Sequence, residues 1–225
     1  SRFNASASFD KAQFYGDVFF DESKFLEGAS FGKAQFKGVV SFNKSQFSDF
    51  KQTDICFEGT QFDLTTDFNN SQFFNNANFS GAKFLDDVTF ENTNFEAKLL
   101  LNKAKYKKLY IRWRDMPTPG YQSGAYERNH KSENPDYEDA TFLLLIENFK
   151  NLGFFEDADN CYYCYRKQRL GDLSGIYKLF DWILGLSYGY GVKPLKPLMW
   201  FFIFFLVFGL LYATFPNVIG FANSN

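Results

Sequence analysis

The apolar positions in the first half of the chain follow neither a helix nor a strand. From Phe3 onward phenylalanine recurs at steps that alternate between six and five: Phe3, Phe9, Phe14, Phe20, Phe25, Phe31, Phe36, Phe42 and Phe47. After one step of ten the series resumes at Phe57, Phe62, Phe68, Phe73, Phe79, Phe84, Phe90 and Phe95, and Leu101 and Tyr106 carry it on. Two residues before each centre from Phe9 to Phe95 stands a small or β-branched residue, such as Ala34 before Phe36 and Val40 before Phe42. A helix repeats every 3.6 residues and a strand every 2, so the period must have another origin. One large and one small inward residue in every five suit a chain that turns a corner in each unit. Each unit is then one side of a square coil. Coils stacked about 4.8 Å apart can pair their backbones throughout. The pattern predicts that the phenylalanines from Phe9 to Phe95 point inward as a structural core. At about 22 residues per coil the stretch makes about five coils. The six-residue steps suggest a bulged corner in every second side. The stretch from Ser48 to Cys56, which contains the long step, is expected to loop out or to form a misfit side.

Past residue 106 the rhythm ends, and the chain divides into four further parts. Residues 107–140 read as a linker, because Met116, Pro117, Thr118, Pro119 and Gly120 break any regular element. The lone His130 falls in the same stretch and reads as a surface residue. Residues 141–171 predict an αα-hairpin. Its first helix carries Phe142, Leu145, Ile146, Phe149 and Leu152 at helical spacing, and Gly153 stops it. Its second helix starts with Glu156, Asp157 and Asp159 and ends with Arg166, Lys167 and Arg169, an order that complements the helix dipole. Residues 172–192 place Ile176, Leu179, Phe180 and Ile183 against polar Lys178 and Asp181, which predicts an amphipathic helix lying at a membrane surface. Gly189 and Gly191 follow it as a hinge. Residues 193–225 hold an uncharged run, 198–215, of a length that crosses a bilayer as a helix. Lys193 and Lys196 precede that run and Trp200 and Tyr212 sit near its ends, all four as membrane anchors. No Lys or Arg follows Lys196, so the N-terminal side is expected in the cytoplasm and Asn225 outside the cell membrane.

The six–five phenylalanine repeat resembles the pentapeptide-repeat family over residues 1–106. That resemblance implies a right-handed quadrilateral β-helix, so the expected fold is mainly β with helices after it. A second resemblance rests on Ala158-Asp159-Asn160-Cys161-Tyr162-Tyr163 with Tyr165-Arg166, then on Gly189-Tyr190-Gly191-Val192-Lys193-Pro194 and Trp200. These motifs, in this order, resemble prokaryotic proteins in which pentapeptide repeats are fused to a two-span, potassium-channel-like module. The resemblance implies a cytoplasmic regulatory or assembly region and the first span of a channel subunit. Such a subunit would be homo-oligomeric through its channel module, with the pore beyond Asn225. The Gly-Tyr-Gly of potassium filters is present at 189–191, but it precedes the span, so it reads as the hinge. The repeat is already in register at Phe3 with no Met or signal peptide before it, and the natural start is expected upstream.

Composition narrows the function further. Of 225 residues 32 are Phe, which the repeat consumes. Lys and Arg number 24 against 26 Asp and Glu, for a net charge of −2, so no nucleic acid partner is expected. A strongly acidic rod of the kind that mimics DNA and protects gyrase is disfavoured for the same reason. One His, no nucleophile–base pair and no phosphate loop argue against an enzyme and against any cofactor. Cys161 and Cys164 form a lone CxxC, too few thiolates for a zinc site, and read as packing groups. The alternative to a channel subunit is a membrane-tethered scaffold. Membrane lipid would then be one partner and a protein on a flat β-helix face another.

Overall fold

Among the described residues, twenty strands of two residues each run from Arg2–Phe3 to Leu109–Tyr110, and each pairs in parallel with the strand one coil away. The computed structural model describes residues 1–48, 54–117, 137–193 and 195–214. Strands on the same side of successive coils form one sheet, and the described residues make four parallel sheets of five strands. The result is a β-solenoid of about five turns. Register is strict, and it puts phenylalanine opposite phenylalanine: Phe3, Phe25, Phe47, Phe73 and Phe95 share one side.

Each five-residue step contains a tight turn, whose last residue is the small residue two places before the phenylalanine that ends the step. The carbonyl of one phenylalanine accepts the N–H of the residue three further on, as from Ala34 to Phe31, Ser45 to Phe42 and Ala82 to Phe79, all at 3.0 Å. The third residue of these turns has positive φ: Lys11, Glu22, Lys33, Lys44, Asn70, Asn92 and Lys103 at 55–61°, with Gly59 and Gly81 at 65° and 69°. A type II turn demands that conformation. The six-residue steps hold open bends rather than the tight turn, so the regular corner belongs to the shorter step. At one of these bends Gly38 has no room for a side chain. A Cβ there would lie 2.5 Å from the backbone of Gly16 and Asp17 in the coil below.

Corner polar groups then tie coil to coil. Asp10 Oδ1 accepts the Gly32 N–H at 2.7 Å and the Ser30 hydroxyl at 2.5 Å, and Asn69 Oδ1 accepts the Glu91 N–H and the Thr89 hydroxyl, both at 2.7 Å. Buried Ser and Thr at the inward small position donate to a phenylalanine carbonyl of the coil before: Thr60 to Phe31 at 2.6 Å, Ser71 to Phe42 at 2.7 Å and Thr93 to Phe68 at 2.7 Å. These bonds satisfy the hydroxyls of Thr60, Ser71 and Thr93 in a core that would otherwise penalise them.

The core is four ladders of stacked rings. Phe14, Phe36 and Phe62 stack at 4.6 and 5.1 Å, and Phe20, Phe42 and Phe68 at 5.1 and 4.9 Å. Ladders on opposite sides meet edge to face across the axis, as Phe57 and Phe68 do at 5.4 Å and 85°. Phe25, Phe31, Phe36, Phe42, Phe47, Phe57, Phe62, Phe68, Phe73, Phe79, Phe84 and Phe90 are buried. Phe9, Phe14, Phe20 and Phe95 are only half-buried, because they lie in the end coils with a neighbour on one side. Of the stretch expected to loop out or misfit, residues 49–53 lie outside the described residues. Its last part is regular: Ile55–Cys56 is a strand in register with Ala77–Asn78, and Phe57 stacks on Phe31 at 4.8 Å.

The coil also runs one side further than 106. Leu109–Tyr110 pairs with Val88–Thr89, and Leu109 and Ile111 are buried where the small and large residues would stand. Aliphatic residues replace phenylalanine there, so the ring pattern no longer marks it. The first helix, α1 (Asp139–Asn151), covers this end of the solenoid. Asn148 receives the Leu109 N–H at 3.0 Å and donates to the Leu109 carbonyl at 2.8 Å, completing an edge strand with a side chain. Phe149 meets Trp113 edge to face at 6.3 Å, and the Tyr137 hydroxyl donates to the Leu99 carbonyl at 2.5 Å. Burial pushes the Tyr137 phenol far above its ordinary pKa. Most of the interval 107–140 read as a linker, 118–136 with His130, lies outside the described residues; Trp113 and Met116 within it are buried.

The chain divides into two compact units, Ser1–Cys161 and Tyr162–Asn225. The boundary falls inside the continuous helix α2 (Phe155–Asp172). The second unit continues with α3 (Gly175–Ser187), a turn at Gly189–Gly191 and α4 (Leu195–Thr214). Among the described residues α4 is the one helix long and apolar enough to cross a membrane, at about 30 Å. The expected run 198–215 lies within α4 up to Thr214, and residues 215–225 lie outside the described residues.

Candidate functional site

The second unit contains a locked joint where α2, α3 and the start of α4 meet. Its centre is Tyr190, held at φ 57° between Gly189 at 58° and Gly191 at 85°. Three consecutive residues with positive φ reverse the chain between two helices, and two of them must be glycine for this to be cheap. Gly189 is needed twice over, since a Cβ there would lie 2.6 Å from the Lys193 Cβ.

The reversal aims the Tyr190 ring back at the helices. Its hydroxyl rests where a Cβ on Gly185 would lie 2.7 Å away, so the glycine in α3 is its seat. The Arg166 guanidinium sits 4.8 Å over the Tyr190 ring, and the Tyr163 ring lies 5.7 Å from it. Arg166 also donates to the Tyr162 hydroxyl at 3.1 Å and forms an ion pair with Asp181. Burial, and then the Asp181 carboxylate, push the Tyr190 phenol up to about 12. Asp181 is 7% exposed and is the one buried residue of α3.

The start of α4 is fastened to the same place. Lys196 Nζ donates to the Gly185 carbonyl at 2.8 Å, and Trp200 Nε1 donates to the Leu186 carbonyl at 3.2 Å. These are late carbonyls of α3, which a helix cannot satisfy internally. Lys167, Lys193 and Lys196 stand with their ammonium groups 5.0, 5.7 and 5.4 Å from the Tyr163 ring centre. Burial pushes the neighbouring Cys164 thiol up, while Lys167 and Lys193 draw it down.

The structure brings Gly189, Gly191, Lys193, Lys196 and Trp200 together at this joint and leaves Tyr212 exposed far along α4. Sequence reasoning missed its key. Asp181 was read as part of a water-facing polar side, but it is buried against Arg166, a partner in another helix that no local periodicity reveals. Gly185 was missed as well, and Tyr190, quoted only within the Gly189–Pro194 motif, was given no role of its own. The signal was present in three glycines, Gly185, Gly189 and Gly191, spaced around one tyrosine. Cys161 is buried in the first unit and Cys164 half-buried in the second. Among the described residues no group of three or more His, Cys, Asp or Glu side chains is placed to hold a metal.

Comparison with known proteins identifies the first half of the chain. No curated protein and no solved structure matches. A family model described as pentapeptide repeats (9 copies) matches residues 1–46 and 57–104, and the gap between the two segments falls on the long step of the phenylalanine series. The β-solenoid is therefore a pentapeptide-repeat solenoid, followed by helices of which one can span a membrane.

Proposed function

We propose that this chain is a non-catalytic scaffold anchored in the cell membrane, with its solenoid on the cytoplasmic side. In this reading α4 crosses the bilayer, α3 lies in the inner interface, and a flat face of a right-handed solenoid receives a protein partner. The observation that carries the reading is the inverted burial of the second unit. In α3 the acid Asp181 is inside, while Ile176, Leu179, Phe180, Trp182 and Ile183 are exposed. No residue of α4 is buried, although the helix is almost entirely apolar. A helix built for water does the opposite. A lipid environment would cover both faces and leave the Arg166–Asp181 pair sheltered within the protein. All six Lys and Arg of residues 162–225 come before Pro197, which favours a cytoplasmic N-terminal side.

A second reading has its own support. The residues that carry the resemblance to channel-fused repeat proteins, among them Tyr163, Arg166, Tyr190 and Trp200, are those that lock the joint. In a homo-oligomeric, potassium-channel-like subunit of prokaryotic type, α4 would be the first span. Tyr190 would make the Gly189–Gly191 hinge stiff, so motion of α2 would pass to α4 instead of being absorbed. This reading requires a pore helix and filter encoded after residue 225, and a reading frame that closes without them ends it.

Thiol labelling in intact cells tests the anchor. With Cys56, Cys161 and Cys164 replaced, single cysteines are placed at exposed Ser8 and at Ser224. An impermeant reagent should reach position 224 and spare position 8. Labelling of position 8, or a chain that stays in solution without detergent, overturns the topology.

A further inference from the structure

We propose that the partner of the solenoid is a second copy of this chain, and that four copies close a tetramer, each packing one solenoid face on the next face of its neighbour. The proposal rests on the scaffold reading above and names the partner which that reading leaves open. The first of the two faces carries Gln13–Phe14, Gln35–Phe36, Gln61–Phe62, Lys83–Phe84 and Lys105–Tyr106. Its segments 11–15, 33–37, 59–63, 81–85 and 103–107 hold seven Lys and one Asp. The face that follows it along the chain runs from Val18–Phe19 to Leu109–Tyr110. Its segments 17–21, 39–43, 65–69 and 87–91 hold five acids and no base. The last segment, 108–112, adds Lys108 and Arg112, and Arg112 is paired with Asp157.

Much of this charge is uncompensated. Lys11, Lys33, Lys83 and Lys105 are exposed, and none has a carboxylate within 4 Å among the described residues. On the acidic face Asp17 accepts the Val39 N–H at 2.8 Å and Asp67 the Asn69 N–H at 2.7 Å. Such donors orient a carboxylate but carry no charge to balance it. Among the described residues no cation lies within 4 Å of Asp17, Asp21, Asp67 or Glu91. Apolar exposure marks the same two faces independently. Among the described residues of the solenoid, Tyr15 and Leu85 are exposed on the basic face, Phe19 on the acidic face and Leu64 at the corner between them. Phe74 is the one exposed large apolar side chain elsewhere on it. Apolar groups gathered in this way mark a surface that another protein covers.

The shape of the coil fixes the number of copies. Four sides close one turn, so adjacent faces differ in direction by about 90°, and a head-to-tail contact between them closes after four copies. With the copies level, Tyr15 of one meets Phe19 of the next in the first coil. In the fourth coil Lys83 meets the groove lined by Thr65, Asp87, Thr89, Glu91 and Tyr110, where Asp87 Oδ1 has no hydrogen bond. Five coils make a face only about 24 Å tall. One such contact is small, and closure lets every copy use both faces.

Sedimentation of the full chain in density-matched detergent tests this. The wild type should have the mass of four chains of 26.1 kDa. Lys11→Glu with Lys83→Glu should weaken assembly at least about tenfold, and so should Asp17→Lys with Glu91→Lys. The turn tolerates the first change, since Glu22 already holds the positive φ that Lys11 has. An equimolar mixture of the two variants should recover the tetramer as an alternating assembly, because acid then faces base at every contact. Lys24→Glu with Lys98→Glu, away from both faces, should leave the mass unchanged. A wild type of any other mass overturns the proposal, as does a Lys11→Glu, Lys83→Glu variant that assembles like the wild type. So does a mixture that stays apart although both variants keep the wild-type circular dichroism. Carbonate extraction of the same membranes separates the two levels. A monomeric chain that stays embedded refutes the tetramer alone, whereas an extracted chain refutes the anchor.

Discussion

Phe36 shows how a single side chain holds the solenoid. Its ring is fully buried and stacked on Phe14 below and Phe62 above, at 4.6 and 5.1 Å. Phe36→Ala removes two stacking partners and leaves a void that stiff neighbouring coils cannot fill. The expected loss is about 3–5 kcal/mol, read from urea titration of the detergent-solubilised chain by circular dichroism. Phe20→Ala, at a half-buried ring of the first coil, should cost clearly less. A comparable loss at both sites would mean that the end coil is as tightly enclosed as the middle. Gly38→Ala tests a different constraint, the approach of one backbone to the next. With backbone atoms 2.5 Å from the added Cβ no side-chain rotation can relieve the clash, and the expected cost is roughly 1–3 kcal/mol. The phenylalanine ladder was legible in the sequence because a solenoid repeats one environment many times, and repetition turns a packing rule into a spacing rule. The positive φ of Lys11, Lys33, Lys44 and Lys103 was not, since lysine has no preference for that region and occupies it only because the turn imposes it.

Elements bring partners together that no single stretch announces. The apolar stripe of α1 could be read from Phe142, Leu145, Ile146 and Phe149, yet nothing in it says that the helix closes the end of a solenoid. Asn148 does so by pairing with both backbone groups of Leu109. Asn148→Leu strands a buried N–H and a buried carbonyl, and should lower stability by about 2–4 kcal/mol, with faster amide exchange at Leu109 as the local readout. Unchanged exchange there would show that the contact is incidental. In the second unit the key is titratable. Tyr190 has its pKa raised to about 12 by burial and by Asp181, against an ordinary 10.0. A raised folded value means that the protonated phenol is the form the joint favours. Its contribution is complete below pH 10 and is lost as the pH rises through about 12. The difference in tyrosinate absorbance between the wild type and Tyr190→Phe should therefore have its midpoint near 12. A midpoint near 10 would mean an open ring and a loose turn.

Charge is distributed unevenly over the whole molecule, and this bears on how it meets a membrane. Residues 162–225 carry six Lys and Arg against two Asp, while the other 161 residues carry the remaining 18 basic and 24 acidic groups. An anionic bilayer would repel the acidic unit and attract the basic one, which agrees with the proposal that the second unit is the one that meets the membrane. Under the membrane reading proposed above, two modes of attachment would be superimposed. One would be reversible adhesion of α3 through its exposed apolar side chains. The other would be α4, whose insertion would not depend on charge. Cutting the chain before Leu195 separates them. Residues 1–194 should float with phosphatidylglycerol vesicles at low salt and be released near 0.5 M salt, where the screening length falls to about 4 Å. The intact chain should stay embedded through both high salt and carbonate. A truncated chain that never floats removes the interfacial role of α3 and leaves α4 as the sole attachment. An intact chain stripped by salt removes the span, and with it any route by which the joint at Tyr190 could act on a membrane.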